Sequence, residues 1–313
     1  MKIAAYEVRP DEKPVIERLC KQYDIELVST PANLDKTTAS MAAGCDGVTT
    51  LGQSDYCNEV LDELKGYGVK VLASRCVGYN HMNCDYARSL GFRLCNGAYA
   101  PNGVAEYTVM AILMCIRKYK KALYNTNDND FTLKGKMGRE LRTMTVGVMG
   151  TGKIGFTVIK CLSGFGCRIL ANDVYENDAV RQYAEYVDLD TLWARSDVIF
   201  LHCPLFPETQ GIINRDTIEK MKDGVILINN SRGQLVVERD LADALNSGKV
   251  YAAGLDVVST EPIRGDNPLL RARNCIITPH ISWAARESRE RILDTTVENI
   301  RAFLGGSPVH VVN

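Results

Sequence analysis

Three residues in the second half of the chain have side chains suited to delivering a proton next to a bound carboxylate: Arg232, Glu261 and His280. Each lies just past a run of apolar, strand-like residues. Val225-Ile226-Leu227-Ile228 leads into Asn230-Ser231-Arg232-Gly233, Gly254-Leu255-Asp256-Val257 leads towards Glu261-Pro262, and Cys275-Ile276-Ile277-Thr278 runs into Pro279-His280. In an open parallel sheet, ligands bind beyond the carboxyl ends of the strands, so the three have reason to converge. Arg232 offers a planar fork for a carboxylate. His280 exchanges a proton near neutral pH, and a carboxylate beside it, from Glu261, favours the protonated imidazole. Taken singly, each has a plainer role: a surface ion pair, a turn, a strand cap. Their common position at one end of one sheet favours chemistry.

The element that would position them begins at Val146-Gly147-Val148-Met149-Gly150-Thr151-Gly152-Lys153-Ile154-Gly155. A β-branched run ends in a Gly-x-Gly-x-x-Gly turn and opens into an apolar helix, and a second strand follows that ends in Asp173. Strand, glycine turn, helix, strand and terminal acid describe a dinucleotide site. Gly150 permits the tight turn, Gly152 lets backbone N–H groups approach a pyrophosphate, and Gly155 lets helix and strand pack closely. The helix N-terminus, at Lys153 and Ile154, turns partial positive charge to the phosphates. Asp173 is placed to accept from a ribose 2′-hydroxyl and to repel a 2′-phosphate, which favours NAD over NADP. Beside a nicotinamide, the Arg232, Glu261 and His280 set suits reduction of a 2-oxo acid.

The first hundred residues alternate strand-like segments (2–6, 25–29, 47–51, 69–74, 92–95) with helix-like ones (14–22, 54–66, 83–90), the pattern of a parallel sheet covered on both faces. A long apolar helix is expected over 102–123, opened by Pro101. The polar stretch 124–130 and the segment to Arg142 have no clear periodicity and read as an excursion on the surface or across a subunit contact. The second α/β series starts at Thr145, with later strands at 198–201, 225–228, 251–255 and 275–278. A last amphipathic helix, 284–304, has Ile292, Thr296, Ile300 and Phe303 on one face and ends at Gly305-Gly306. Because the nucleotide motif sits mid-chain, the N-terminal series forms its own domain, to which the last helix can return. The expected domains are 1–98 with 284–313, and 99–283.

A length of 313 residues suits two domains, and a net charge of −1 without a long basic run argues against nucleic acid as a partner. No apolar run approaches the ~18 residues of a membrane helix, and the N-terminus lacks the apolar core of a signal peptide. The 11 cysteines are scattered from Cys20 to Cys275 without a Cys-x-x-Cys pair, as expected for reduced thiols of a cytoplasmic protein rather than a disulfide framework or a metal site.

Along essentially its whole length the chain resembles the D-isomer-specific 2-hydroxyacid dehydrogenases. The resemblance is carried by Arg75-Cys76-Val77-Gly78-Tyr79-Asn80-His81, Tyr99-Ala100-Pro101-Asn102-Gly103-Val104-Ala105-Glu106-Tyr107, the glycine turn, Asn229-Asn230-Ser231-Arg232-Gly233, Gly254-Leu255-Asp256-Val257 and Thr278-Pro279-His280. It implies two Rossmann-like domains, a flavodoxin-like substrate domain and an NAD-binding doubly wound sheet, with a cleft between them, and a homodimer. By the same resemblance Arg232, Glu261 and His280 are the catalytic set, and the N–H groups of Val77 and Gly78 hold the substrate carboxylate. Tyr99 approaches the substrate, while His202, Cys203, Pro204 and Thr209 line the cofactor crevice together with Asn230. Asp256 orients the nicotinamide carboxamide. Trp283 either closes the substrate pocket or packs a hinge, and Leu51 and Gln53 are candidates for the remaining wall. The segment from Tyr99-Ala100-Pro101-Asn102 through Asn129-Asp130-Phe131 looks like D-lactate dehydrogenases. The 253–270 and 280–284 segments look more like D-glycerate dehydrogenases, which reduce hydroxypyruvate or glyoxylate. A non-catalytic NAD(H)-sensing corepressor is the remote alternative.

Overall fold

The computed structural model describes residues 1–79, 82–97 and 100–313. The chain forms two compact units, residues 1–100 with 285–313 and residues 101–284.

In the first unit β1 (Lys2–Ala5), β2 (Glu26–Ser29), β3 (Gly47–Thr50), β4 (Val71–Ser74) and β5 (Arg93–Cys95) form a parallel sheet of order β2-β1-β3-β4-β5. That is the flavodoxin-like order. The connections are α1 (Lys13–Gln22), α2 (Asn58–Gly66) and α3 (Cys84–Ser89). Residues 47–50 and 71–74 are buried throughout, because apolar clusters cover both faces of the sheet. The helix expected from residue 54 starts four residues later. Ser54 hydrogen-bonds inward to Glu7, and the Asp55 carboxylate accepts from the Cys57 N–H at 2.9 Å, which holds 54–57 as a turn.

The second unit opens with α4 (Asn102–Ile116) and α5 (Tyr119–Asn127). The single helix expected over 102–123 is thus two, and helix continues into the polar stretch read as an excursion. The break has a local cause. Lys118 is left-handed, with φ of 55°, and the Ile116 carbonyl takes the Arg139 N–H at 3.2 Å as the chain returns past it. After α5, the Asp130 carboxylate gathers the Thr132 N–H, the Thr132 hydroxyl and the Asn125 amide into a tight turn.

Seven parallel strands follow: β6 (Thr145–Met149), β7 (Arg168–Asn172), β8 (Glu185–Tyr186), β9 (Val198–Leu201), β10 (Val225–Asn229), β11 (Val250–Leu255) and β12 (Cys275–Ile277). Their order is β12-β11-β10-β9-β6-β7-β8. Helices α6 (Lys153–Ser163), α7 (Asp178–Arg181), α8 (Leu189–Arg195), α9 (Arg215–Lys220) and α10 (Glu238–Ser247) make the crossovers, and α4 packs on α6, β10 and β11. The two-residue edge strand β8 is too short to show a periodicity and was not expected. The strand order reverses between β6 and β9, and a doubly wound sheet opens its ligand crevice at such a point. The chain then returns to the first unit as α11 (Arg286–Leu304). Here Ile292, Leu293, Val297 and Ile300 join Ile3, Ala5, Val71 and Ala73 in one cluster, and Thr296 is buried beside them.

Candidate active site

The glycine turn joins β6 to α6 at the switch point. Gly150 has φ of 97°, and a Cβ there would lie 2.5 Å from the Cys203 nitrogen. A Cβ on Gly155 would lie 2.0 Å from the Gly150 carbonyl oxygen, so helix and turn touch backbone to backbone. At Gly152, by contrast, a Cβ would meet open space, and this N-cap of α6 brings no side chain to cap the first N–H groups of Lys153, Ile154 and Gly155. An open, uncapped helix N-terminus fits a pyrophosphate. Asp173 follows β7. Its Oδ2 accepts from the Thr151 N–H at 2.6 Å and from the Thr151 hydroxyl at 3.1 Å, and its Oδ1 accepts from the Tyr175 N–H at 3.1 Å. These bonds fix the carboxylate beside the glycine turn while leaving lone pairs for a ribose.

His202, Cys203 and Pro204 follow β9, Thr209 lies in the turn beyond them, and Asn230 follows the neighbouring strand β10. The Thr108 hydroxyl donates to the Val104 carbonyl at 2.8 Å and accepts from the Asn230 amide at 3.0 Å. Its one proton is therefore used, and the His202 Nε2, 3.1 Å away, must be the donor to it. Burial pushes the His202 imidazole down to about 3, so the ring is neutral. The Asn230 Oδ1 is buried without a hydrogen-bond partner. An orphaned acceptor beside a glycine-turn crevice fits a bound ligand that donates a hydrogen bond. The Thr209 hydroxyl closes the 204–209 turn, donating to the Pro204 carbonyl and accepting from the Phe206 N–H, each at 2.8 Å. Burial raises the Cys203 thiol to about 11, which keeps it protonated and unreactive.

The three candidate catalytic side chains belong to this same unit. Nδ1 of His280 lies 2.8 Å from Oε2 of Glu261. Burial acts to raise the Glu261 carboxyl. The hydrogen bond and charge of His280, the Val258 N–H and the nearby Arg232 guanidinium outweigh it and hold the carboxyl below the usual range. An ionised Glu261 can only accept, so Nδ1 carries the hydrogen and Nε2 is left for proton exchange. Arg232 donates from Nη1 to the Ser231 carbonyl at 2.8 Å. Its loop is set by Asn229, whose amide donates to the Arg232 carbonyl at 2.8 Å while its Oδ1 accepts from the Ser231 N–H at 3.0 Å. Gly233 then presses the Arg232 loop onto Val258–Ser259, the segment that leads to Glu261.

Asp256, expected at the carboxamide, is 1% exposed and holds the turn that carries His280. Its Oδ1 accepts from the Thr278 hydroxyl at 2.7 Å and the Ile281 N–H at 2.9 Å, its Oδ2 from the Ser282 N–H at 2.7 Å, and its carbonyl from the His280 N–H at 2.8 Å. The Trp283 indole donates to the His280 carbonyl at 2.7 Å, which locks the far side of the turn. Val77 and Gly78 lie in the first unit after β4, on a loop pinned by Asn96 donating to the Val77 carbonyl at 2.7 Å. Tyr99, with Asn80 and His81 of the quoted motif, lies outside the described residues.

Sequence reasoning missed Thr108, Asn229 and Tyr107, which lies against Thr278 and Asp256. The signal for Asn229 was an amide ending a strand of otherwise apolar, fully buried residues. Thr108 sits inside an apolar helix, where nothing local marks it, and Tyr107 ends one of the quoted motifs without a role of its own there.

With this geometry established, comparison with known proteins assigns the family. Residues 109–282 match the D-isomer specific 2-hydroxyacid dehydrogenase, NAD binding domain. The chain is 49% identical over 253 residues to a hydroxypyruvate reductase of Blautia hydrogenotrophica, covering 78% of each chain. It is 38% identical over 319 residues to an aromatic 2-oxoacid reductase of Clostridium sporogenes, covering 97% of this chain and 96% of the other. The apo structure of D-lactate dehydrogenase from Escherichia coli matches with a TM-score of 0.90 at 35% identity over 100% of both chains. The chain belongs to the D-isomer specific 2-hydroxyacid dehydrogenases. It is an NAD-dependent oxidoreductase of two Rossmann-like domains that acts on CH–OH groups.

Proposed function

We propose that this enzyme works as a reductase of a small 2-oxo acid, in the manner of a D-lactate dehydrogenase, and that Arg232, Glu261 and His280 are its catalytic residues. The observation that carries the reading is the 2.8 Å His280–Glu261 pair, set on a turn tied to β11 with the Arg232 loop packed beside it. NADH, when bound, supplies the hydride. Arg232 and the Val77 and Gly78 N–H groups hold the substrate carboxylate, and Arg232 also polarises the carbonyl. His280 gives its Nε2 proton to the carbonyl oxygen, and Glu261 compensates the imidazolium charge. The glycine turn with Lys153 and Ile154 holds the pyrophosphate and Asp173 the ribose. The wall formed by His202, Cys203, Pro204, Thr209 and Asn230 borders the remainder. NADH oxidation measured over pyruvate, hydroxypyruvate, glyoxylate, 2-oxoisocaproate, phenylpyruvate and 2-oxoglutarate tests the reading, which fails if none is consumed. A second reading, hydroxypyruvate reduction, is favoured by the 49% identity to the Blautia enzyme, and the same screen separates the two.

Asp173→Ala is expected to raise KM for NADH and to move the NADH/NADPH preference towards NADPH by about tenfold, since a charge repelling the 2′-phosphate is removed. Comparing kcat/KM with the two cofactors checks this, and an unmoved ratio removes Asp173 from cofactor selection.

The proposal extends to a homodimer in the cytoplasm. Phe131, Leu133 and Met137, on the segment after α5, are 80%, 78% and 75% exposed, an apolar arm that a second copy would cover. All 11 cysteines are free thiols, in keeping with a reducing compartment. Sedimentation of the purified chain at the monomer mass would refute the dimer. Among the described residues no helix is long and apolar enough to cross a membrane.

A further inference from the structure

Glu7 follows β1 with φ of 55°, a left-handed conformation uncommon outside glycine. It lies in the interior of the first unit, 6% exposed. Its carboxylate accepts three hydrogen bonds from one short loop. Oε2 takes the Leu51 N–H at 2.8 Å and the Ser54 hydroxyl at 2.5 Å, and Oε1 takes the Gln53 N–H at 2.8 Å. The backbone here serves a second loop. The buried Arg75 donates from Nη2 to the Tyr6 carbonyl at 2.7 Å and the Glu7 carbonyl at 3.2 Å, and from Nη1 to the Thr49 hydroxyl at 3.2 Å. Arg75 runs directly into Cys76-Val77-Gly78. The two loops are neighbours, since a Cβ on Gly52 would lie 3.7 Å from Cys76 Sγ.

We propose that Glu7 is a positioning residue for substrate binding: it holds the 51–54 loop in register with the 76–78 loop. This rests on the proposed function, in which Val77 and Gly78 hold the carboxylate, and takes Leu51 and Gln53 as the candidates for the remaining pocket wall. Glu7 touches neither substrate nor cofactor. Residues 51–54 belong to no strand or helix, so the carboxylate supplies the acceptor that a sheet neighbour otherwise would. Without it, the Leu51 and Gln53 N–H groups satisfy themselves only by turning to water, and the loop leaves its place. A loop ordered beforehand spares the substrate the cost of ordering it, so its contribution falls on affinity rather than on the chemical step.

The test uses the full-length enzyme with two variants. Glu7→Gln keeps the size but turns an amide donor towards at least one of the three loop donors. Glu7→Gly removes the carboxylate while relieving the left-handed backbone, which offsets part of the stability that the lost hydrogen bonds cost. For both, KM for the 2-oxo acid is expected to rise about tenfold while kcat and KM for NADH stay within about twofold. Amide exchange of residues 50–56 is expected to quicken in the enzyme without substrate. Arg232→Lys, measured alongside, tests the proposed function itself by raising KM and lowering kcat. If Arg232→Lys is impaired but the Glu7 variants keep wild-type KM and wild-type exchange, the Glu7 proposal is overturned alone. A fall in melting temperature or in kcat with KM unmoved marks a merely structural role and overturns it equally. If Arg232→Lys has wild-type kinetics, the reading of the site fails, and exchange at 50–56 still decides whether Glu7 holds the loop.

Discussion

Replacing His280 by Asn is expected to lower kcat for 2-oxo acid reduction by about 10²–10⁴-fold, the usual share of a positioned proton donor. Binding of NADH, followed by fluorescence titration, should be nearly unchanged. Asn is a cleaner choice than Ala because residue 280 has φ of 53°, and Asn tolerates that backbone better than other replacements. The turn itself survives, since its bonds to Asp256 and Trp283 come from backbone atoms of residues 280–282 and from the Thr278 hydroxyl. A loss of turnover accompanied by an equal loss of NADH affinity would show a collapsed site rather than a missing proton. Glu261→Gln offers the companion measurement. Glu261 sits below the ordinary carboxylate range and is ionised across neutral pH. Removing its charge leaves the Nδ1 hydrogen of His280 without its ionised acceptor, so kcat for reduction should fall while NADH affinity is nearly unchanged.

Gly233→Ala is expected to be nearly as damaging, for a geometric reason. A Cβ at this position would stand 1.9 Å from the Val258 carbonyl carbon, 2.1 Å from its oxygen and 2.5 Å from the Ser259 nitrogen. All three are backbone atoms, so no rotamer change relieves the clash. The loop that carries Arg232 and the segment that leads to Glu261 must separate. Overpacking of this kind costs about 1–3 kcal/mol of stability. A displacement of about 1 Å between reacting groups can cost a further 10²-fold in kcat/KM. Gly265→Ala is the control, because a Cβ there meets nothing within 4 Å. Thermal melting and kcat/KM for the pair decide the matter. Equal behaviour of the two variants would separate the Gly233 contact from catalysis.

Much of the second unit could be read directly from its residues because its signals are local. The apolar strands, the glycine turn and the acid after β7 each lie within a window of a few residues, and the polar residues after successive strands follow from the parallel sheet. What escaped depends on partners far along the chain. Asn230 meets Thr108 across 122 residues, and Glu7 reaches its loop across 44 to 47. Neither spacing leaves a pattern. The break at Lys118 escaped for the same reason, since the N–H that ends α4 comes from Arg139 after an intervening helix and turn. Asp256 was located correctly as a residue at the end of β11, but its donors are set by how the 278–282 turn folds back on it. A composition-based reading sees the acid and not the turn.

The return of α11 to the first unit has a consequence for biosynthesis. Residues 101–284 emerge from the ribosome as one uninterrupted stretch and can close their core before translation ends. Residues 1–100 emerge before them yet complete their core after them, because the cluster at Ile3, Ala5, Val71 and Ala73 takes Ile16, Leu19 and Cys20 from α1 but also needs Ile292, Leu293, Val297 and Ile300 from α11. The nascent chain therefore carries part of this apolar cluster without its α11 cover until residues 286–304 have been made.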